Sequence, residues 1–402
     1  MQAILRENDK NYRAQPVVYT ERATLHMERI HCRPHMPDLL KGLFDVIEQG
    51  QTSLSADAAT MKSLFPKTFG QPKVVFQPRQ GSMALNPLTG RKLIIGAVFS
   101  GGPAAGGHNV LTGLLDFMKR RNAESELIGF LGGPQGIVSN NHRVIHANDI
   151  ESFRNLGGFH FLGSGRTKIE TEEQLQSSVN TCRELGLDGL VIIGGDDSNT
   201  NAGILAEYFQ TKNCHTCVIG VPKTIDGDLR NEDIEASFGF DTATKVYANS
   251  VANLCFDAIS ALKSYHFIRV MGRDASHITL EVALQTHPNL LFISEEVQTK
   301  NQTLTGVVDE IVALVVDRAN IGKDYGTILI PEGLVGFASD MKLLIEELND
   351  ILANEKEAKD PSNFNANLLT PPAKTLYESL PEFILVQMMA ERDPHGNLFL
   401  SS

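Results

Sequence analysis

Short apolar runs alternate with helix-length amphipathic segments along the chain from Arg91 onward. Runs of this length indicate buried strands, and the segments between them indicate crossover helices. The alternation predicts a doubly wound α/β fold with a parallel sheet, in which ligands bind beyond the carboxyl ends of the strands. The predicted strands are Leu93 to Phe99, Leu190 to Ile193, Val218 to Val221, Phe267 to Met271, Leu290 to Ile293 and Thr327 to Ile330.

The two ends of the chain break this pattern. Residues 1–90 contain breakers such as Arg33-Pro34-His35-Met36-Pro37 around short helical pieces, among them Pro37 to Glu48, and are predicted to form an N-terminal extension. Residues 336–402 become helical and acidic, which indicates an inserted or appended helical element. Two α/β domains, 91–245 and 246–335, are predicted between these ends.

Composition narrows the class of protein. The 402 residues are 42% hydrophobic and carry a formal net charge of −12, so no global positive field would gather nucleic acid or an anionic membrane surface. No apolar run approaches the ~20 residues of a membrane span, and the first residues lack the apolar core of a secretory signal. We therefore expect a cytoplasmic, multi-domain protein that binds neither nucleic acid nor membranes.

The five cysteines are odd in number and widely spaced, which is typical of reduced thiols rather than of a disulfide framework. Cys214 and Cys217 have the spacing of a redox or zinc motif, but no second pair completes a four-ligand zinc site. We interpret the pair as structurally inert.

The first candidate site follows the strand that ends at Phe99. The sequence Ser100-Gly101-Gly102-Pro103 begins a glycine-rich stretch that leads into a helix predicted over Val110 to Lys119. Glycines let backbone N–H groups approach an anion, and a helix N-terminus favours negative charge, so the loop is predicted to hold phosphate. It matches neither the P-loop nor the dinucleotide fingerprint, and a tight turn without a ligand is the alternative.

Two adjacent acids, Asp196 and Asp197, follow the second predicted strand. A helix N-cap would need only one acid. Two unit charges at about 4 Å repel by roughly 4 kcal/mol in a surface-like dielectric, so the pair is best explained by a bound cation. Carboxylate oxygens together with substrate phosphates are typical ligands of Mg²⁺.

A similar arrangement follows the third predicted strand, where Pro222-Lys223-Thr224-Ile225-Asp226-Gly227-Asp228 combines a lysine with two acids. Asp226 is placed to act as a general base, and Lys223 can offset phosphate charge. The alternatives are an ordinary Asp-Gly-Asp turn and a solvated surface lysine.

Taken together, five motifs resemble those of the 6-phosphofructokinases. They are Ser-Gly-Gly, Gly-Gly-Asp-Asp-Ser, Pro-Lys-Thr-Ile-Asp-Gly-Asp, Met-Gly-Arg at 271–273 and Pro-Glu-Gly at 331–333. More narrowly, they resemble the long-chain, pyrophosphate-dependent branch, which includes the plant catalytic beta subunit. The resemblance runs from about Arg91 to Gly333. It implies two Rossmann-like domains of the phosphofructokinase type and transfer of a phosphoryl group from diphosphate to fructose 6-phosphate.

The resemblance also implies a role for each matching residue. Domain 91–245 would bind diphosphate through Gly101, Gly102 and Arg166 and Mg²⁺ through Asp196, and Asp226 would take the proton from the 1-hydroxyl of the sugar. Domain 246–335 would hold fructose 6-phosphate. Lys263 and Ser264 match residues that the family donates across a subunit interface, which implies a homodimer or a higher oligomer. The other residues matching the substrate pocket are Thr224, Ile225, Asp228, Met271, Gly272, Arg273 and Glu332.

Two substitutions indicate the phosphoryl donor. ATP-using relatives have glycine at the positions of Asp197 and Lys223, and a carboxylate at 197 would occupy the space of the nucleotide's α-phosphate and repel it. An ATP-dependent kinase of the same fold would require both residues to be spectators. A non-catalytic regulatory subunit would be expected to have lost the acids at Asp196 and Asp226. The sequence lacks the glycine-rich fingerprint of a dinucleotide-dependent oxidoreductase, so that class of enzyme is disfavoured.

Two further positions complete the expectations. His277 and Glu281 lie four residues apart on a helix predicted over Ala275 to Gln285, and we interpret them as a packing pair rather than as metal ligands.

Long members of the family continue to a Tyr-Glu-Gly-Arg motif that helps to hold the 6-phosphate. The sequence Tyr377-Glu378-Ser379-Leu380 does not match that motif. We therefore expect the second domain to be incomplete and the chain to be truncated at its C-terminus.

Overall fold

The computed structural model describes residues 28–29, 31–51, 58–79, 90–229, 234–354 and 364–389. Parts of the predicted N-terminal extension, including Gln80 to Ser82, and of the predicted C-terminal element, including Pro361 to Asn363, lie outside these residues. Within the described ranges, no helix combines the length and the apolar character needed to cross a bilayer.

The strands form three sheets. An antiparallel pair is β1-β2, a five-stranded sheet has the order β5-β4-β3-β6-β7, and a three-stranded sheet has the order β8-β10-β9. In the five-stranded sheet only β5 runs antiparallel to its neighbour, and the three-stranded sheet is parallel throughout. The strands are β1 Phe44–Gln51, β2 Pro72–Pro78, β3 Ile94–Phe99, β4 Glu126–Phe130, β5 His142–Ile145, β6 Gly189–Gly194, β7 Cys217–Pro222, β8 Ser264–Val270, β9 Leu290–Leu291 and β10 Tyr325–Pro331.

Helices connect these strands and continue after the last one. Among the described residues, short 3-10 helices cover Glu151–Phe153 and Ala366–Leu368. The α-helices are α1 Asp38–Lys41, α2 Ala58–Leu64, α3 Gly107–Arg121, α4 Gln135–Val138, α5 Ala147–Ile150, α6 Glu172–Glu184, α7 Asp196–Thr211, α8 Phe240–Ala261, α9 His277–Thr286, α10 Ser294–Thr299, α11 Leu304–Asn320, α12 Leu334–Phe337, α13 Ser339–Asn354, α14 Pro371–Ser379 and α15 Glu382–Met389.

The central strands β3 and β6 of the five-stranded sheet are buried on both faces, which explains their continuous apolar runs. Successive side chains of β6 point to opposite faces, so Leu190 and Ile192 join one core cluster while Val191 and Ile193 join the other. The first cluster includes apolar residues of α6 and α7, and the second includes residues of α3. Because β3, β6 and β7 run parallel, their carboxyl ends lie at one edge of the sheet.

The described residues divide into two compact units. The first comprises residues up to Thr224 together with Ser237–Gly239, and the second comprises Ile225–Ala236 together with the residues from Phe240 onward. In the second unit, α8 and α9 pack with β8 and β10 around Val251, Val270 and Leu329, and α13 to α15 build a separate cluster around Leu344 and Tyr377.

The predicted α/β class is confirmed, and three local expectations need correction. The helix predicted from Pro37 to Glu48 is wrong, because the helix covers only Asp38–Lys41 and a strand follows. That strand pairs Val46 with Phe76 and Ile47 with Val75, so β-branched and aromatic cross-strand pairs outweigh local helix propensity. Strands β4 and β5 were not predicted from the sequence, and β5 runs antiparallel in a sheet expected to be parallel.

Candidate functional site

The glycine-rich loop after β3 has a strained backbone that only glycine tolerates well. Gly101 adopts a φ of 83°, and its N–H donates to the carbonyl of Gly165 at 2.9 Å. The Ser164 hydroxyl donates to the Gly101 carbonyl at 2.6 Å. The loop is therefore held against the segment around Gly165, and helix α3 begins soon after it, at Gly107.

Two cationic side chains come from that neighbouring segment. A Cβ atom added at Gly102 would lie 4.0 Å from Nη2 of Arg166, so the exposed guanidinium borders the glycine loop. Lys168 follows two residues later and lies 3.6 Å from the carboxylate of Asp197. A glycine loop beside a guanidinium is a combination suited to binding a phosphate group.

Asp196 and Asp197 occupy the first turn of α7, directly after β6, and both are exposed. The residue before them, Gly195, provides no side-chain cap, so the acids complement the positive end of the helix. Ser198 donates from its hydroxyl to Ser100 at 2.8 Å, which ties the start of α7 to the glycine loop. The N-cap expected as the alternative explanation is Gly195, and neither acid occupies that position, so capping does not explain the pair.

Lys223 enters the same edge of the sheet from β7. Its backbone N–H donates to the Gly194 carbonyl at 2.8 Å, and its ammonium lies 3.9 Å from the place of a Cβ at Gly195. The next residue, Thr224, is buried, and its N–H donates to the Ser237 hydroxyl at 2.7 Å. Lys223 therefore lies beside the turn that carries Asp196.

A buried histidine supports this part of the first unit. His108, on the first turn of α3, is 1% exposed. Its Nδ1 lies 2.6 Å from the Leu156 carbonyl, and the Phe161 N–H donates to its Nε2 at 3.2 Å. This pair of contacts requires the neutral ring with the proton on Nδ1. Burial lowers the pKa of His108 to about 4, with the neighbouring His160 ring contributing in the same direction.

In the second unit, the segment from Ile225 to Asp228 is anchored by its apolar residue. Ile225 packs against the core cluster around Val251 and Val270. One carboxylate oxygen of Asp226 and one of Asp228 are buried from solvent. Gly227, between them, has a φ of 75°. The two acids are thus presented on a tight turn with a fixed backbone.

The Met-Gly-Arg and Pro-Glu-Gly motifs meet in the second unit, at the carboxyl ends of β8 and β10. Pro331 pairs with Val270, and the N–H of Gly333 donates to the Gly272 carbonyl at 3.0 Å. A Cβ atom at Gly333 would come within 1.8 Å of the Arg273 carbonyl, so glycine is required there. The structure therefore brings together Met271, Gly272, Arg273 and Glu332.

Lys263 and Ser264 lie at the opposite end of β8. Ser264 is the first residue of the strand, whereas Met271 follows its last residue. Seven residues of strand span roughly 20 Å, so within one chain these two residues are distant from Arg273. Both are exposed, and Ser264 adopts a φ of 74°, which is unusual for a residue with a side chain.

The structure groups the sequence-predicted residues within each unit. The first unit gathers one set at the carboxyl edge of its sheet, and the second unit contains two separate sets, the acidic turn and the paired motifs. Sequence reasoning missed Lys168 and the bond between Ser100 and Ser198. The signal for Lys168 was its position two residues after Arg166. The first-unit set is Gly101, Gly102, Arg166, Asp196, Asp197 and Lys223.

The described residues contain no cluster of three or more histidine, cysteine, aspartate or glutamate side chains able to hold a metal ion by themselves. Cys214 is buried, Cys217 is exposed, and all five cysteines are free thiols. Asp196 offers exposed carboxylate oxygen atoms, which is the donor chemistry that suits Mg²⁺ shared with a phosphate ligand.

The chain matches a known protein family and several relatives within it. The Phosphofructokinase family profile matches residues 94–366. The chain is 48% identical over 381 residues to the pyrophosphate–fructose 6-phosphate 1-phosphotransferase subunit beta 1 of Arabidopsis thaliana, covering 95% of this chain and 66% of that relative. It is 47% identical over 386 residues to the pyrophosphate–fructose 6-phosphate 1-phosphotransferase of Porphyromonas gingivalis, covering 94% and 69%. The chain thus spans about two thirds of the length of these curated relatives.

A solved structure supports the fold. The phosphofructokinase from Saccharomyces cerevisiae matches with a TM-score of 0.51 and 21% identity, covering 67% of this chain and 34% of that one. At this identity the likeness concerns the fold alone, and it confirms the expected phosphofructokinase-type architecture.

Proposed function

Because this chain belongs to the phosphofructokinase family, we propose that it transfers a phosphoryl group from inorganic diphosphate to the 1-hydroxyl of fructose 6-phosphate. The products are fructose 1,6-bisphosphate and phosphate, and the reaction is reversible. The observation that carries the proposal is the set of groups at one sheet edge of the first unit: the backbone of Gly101 and Gly102, the cations Arg166 and Lys223, and the two acids at the start of α7. Two close relatives are named for this reaction.

Each residue has a proposed task on the donor. The N–H groups around Gly102 and the guanidinium of Arg166 bind diphosphate oxygens, and the ammonium of Lys223 offsets charge on the phosphoryl group that is transferred. Asp196 would hold Mg²⁺. When bound, Mg²⁺ supplies positive charge to the phosphate oxygens.

Asp197 is the residue proposed to select the donor. Its carboxylate stands in the first turn of α7 and is 72% exposed, with Lys168 at 3.6 Å as an ion-pair partner. An exposed pair of this kind contributes little to stability, so the acid is not explained by folding alone. A second negative charge at this position would repel a nucleotide tail while leaving room for a small diphosphate.

Asp226 is the proposed general base. The turn that carries it is fixed by Ile225 in the core and by the backbone conformation of Gly227, and a fixed position is what proton abstraction requires. Thr224, Ile225 and Asp228 complete the substrate loop. Met271, Gly272, Arg273 and Glu332 would bind the sugar phosphate, with the guanidinium of Arg273 contributing a bidentate contact.

The assembly and the compartment are further parts of the proposal. Lys263 and Ser264 are exposed and distant from Arg273 along β8, which suits donation to the site of a second subunit in a homodimer or a higher oligomer. A reducing cytoplasm suits five cysteines that are all free thiols.

The proposed base is tested by measuring formation of fructose 1,6-bisphosphate from fructose 6-phosphate in the presence of Mg²⁺, with diphosphate or ATP as the donor. We expect turnover with diphosphate, little with ATP, and a fall in kcat of about 100-fold or more in Asp226→Ser, because a general base typically contributes 10²–10⁴-fold. Asp241→Ser removes an exposed acid from the first turn of α8 and is the matched control, with unchanged kcat expected. A wild-type rate in Asp226→Ser would remove Asp226 from the base role.

A further inference from the structure

His277 connects the acidic turn to helix α9. Its Nδ1 lies 3.0 Å from the Gly227 carbonyl oxygen. A carbonyl oxygen can only accept a hydrogen bond, so Nδ1 carries a proton and donates it. A Cβ atom at Gly227 would lie 3.2 Å from this nitrogen, closer than an ordinary contact. The imidazole therefore touches the backbone between Asp226 and Asp228.

The acidic turn consequently has two anchors. Ile225, the residue before Asp226, packs in the core of the second unit, and Gly227, the residue after it, accepts a hydrogen bond from His277. The carboxylate between two fixed neighbours has few positions available to it. His277 is more than the packing residue predicted from the sequence.

Glu295, on α10, contacts the residue that precedes α9. Its Oε1 accepts a hydrogen bond from the Ser276 N–H at 2.9 Å, and the Ser276 hydroxyl accepts one from the Ser294 N–H at 2.9 Å. Ser276 is the residue before α9 and provides no side-chain cap of its own, so Glu295 serves an unpaired N–H of the helix start from a distant part of the chain.

The charge on Glu295 suits this capping role. Burial acts to raise the pKa of Glu295, but hydrogen bonds from Ser276 and from its own backbone, with the nearby His277, outweigh burial and lower the pKa. The carboxylate is thus ionised at neutral pH, next to the positive end of α9.

We propose that His277 and Glu295 are positioning residues that keep two loops of the second unit in register, the acidic turn 225–228 and the loop 271–276. Glu295 bonds to Ser276, the last residue of the second loop. His277, the residue after Ser276, bonds to the acidic turn at Gly227. The inference rests on the proposed function, since it assigns the register a purpose: holding Asp226 and Arg273 at a constant separation for one sugar phosphate.

The first test separates the hydrogen bond from the bulk of the ring. Asparagine can present an N–H donor close to the place of Nδ1, whereas alanine cannot. We expect kcat with diphosphate and fructose 6-phosphate to fall about tenfold in His277→Ala and to recover largely in His277→Asn, the change expected for loss of one hydrogen bond. The KM for diphosphate should not change, because the groups proposed to bind it lie in the first unit. If the alanine variant does not fold, His277→Gln, which displaces the donor, takes its place.

Glu281→Ala is the matched control, because Glu281 lies on the same helix and, among the described residues, hydrogen-bonds to Gln285 alone. It should leave kcat unchanged. Wild-type kcat in His277→Ala, or equal losses in the alanine and asparagine variants, would overturn the proposal.

The second test does not depend on activity. Hydrogen–deuterium exchange of the amides at 226–229 should accelerate in His277→Ala and stay near wild type in His277→Asn and Glu281→Ala. Exchange at 271–276 should accelerate in Glu295→Ala but not in Glu295→Gln, which keeps an acceptor for Ser276. Unchanged exchange in both alanine variants would contradict the anchoring. Inactive wild-type protein with the expected exchange pattern would instead refute the proposed reaction and leave the anchoring intact.

Discussion

Acidification should destabilise the folded chain through His108. The ring is 1% exposed and is neutral in the folded state because its pKa falls from the ordinary value of 6.5 to about 4. In the unfolded chain the imidazole takes up a proton as the pH drops below 6.5, while the folded ring does not until about pH 4. Stability contributed by the neutral ring is therefore present above the unfolded pKa and is lost between these two values. The loss is about 2 kcal/mol between roughly pH 7 and pH 5.

The measurement is the urea unfolding midpoint and slope of wild type and His108→Gln at about pH 7 and at about pH 5. The variant should be less stable at the higher pH, because the acceptor for Phe161 and the donor for Leu156 are disturbed. Its loss of stability on acidification should be smaller than that of wild type by about 2 kcal/mol. His160, whose pKa is also lowered by burial, remains in both proteins and cancels in the comparison.

Thr112→Val provides the control. Thr112 is 3% exposed, lies one turn further along α3, and bonds through its hydroxyl to the Asn109 carbonyl. This variant should lose stability equally at both pH values relative to wild type. An identical pH dependence in wild type and His108→Gln would refute the reasoning, because it would mean that the ring exchanges its proton equally in the folded and unfolded states.

Two substitutions test the glycine at the start of α3 and the proposed donor selection. Gly107→Ala should destabilise the protein by about 1–3 kcal/mol, because its Cβ would lie 2.3 Å from the buried Phe159 ring. The control Gly113→Ala, on the same helix with nothing within 4 Å of its Cβ, should be neutral or slightly stabilising. Equal urea midpoints for the two variants would contradict the packing argument. Asp197→Gly should admit ATP as a donor or as a competitive inhibitor against diphosphate, while Glu173→Gly, which removes an acid from the first turn of α6, should not; unchanged ATP affinity in Asp197→Gly would show that the carboxylate does not exclude the nucleotide.

The strands that carry the candidate site were predictable because each is a short run of mostly apolar residues. Strands β3 and β6 are buried on both faces, whereas β7 keeps its apolar run although Ile219 is exposed. The runs ending at Phe99, Ile193 and Val221 contain little but apolar residues, and the observed strands end within one residue of these positions. The residues that follow a buried parallel strand lie at the carboxyl edge of the sheet, so the positions of Gly101, Asp196 and Lys223 followed from the pattern.

Contacts between distant parts of the chain were not predictable in this way. Nothing in the pattern around Ser276 indicates that its N–H meets Glu295, since the acceptor lies 19 residues away and reaches it only once the second unit has folded. The local pattern from Pro37 to Glu48 predicts a helix and does not reveal the strand Phe44–Gln51, because that strand pairs with Pro72–Pro78 across a long intervening segment. The role of Lys168 likewise depends on a contact between distant segments, its ion pair with Asp197 at 3.6 Å.

The central proposal is that inorganic diphosphate, and not ATP, donates the phosphoryl group to the sugar. The most direct measurement supplies radiolabelled diphosphate, fructose 6-phosphate and Mg²⁺ to the chain and separates the products. The account predicts that label divides equally between free phosphate and the 1-phosphate of fructose 1,6-bisphosphate. Label confined to free phosphate, or label that never leaves diphosphate while ATP supports formation of the bisphosphate, would contradict it.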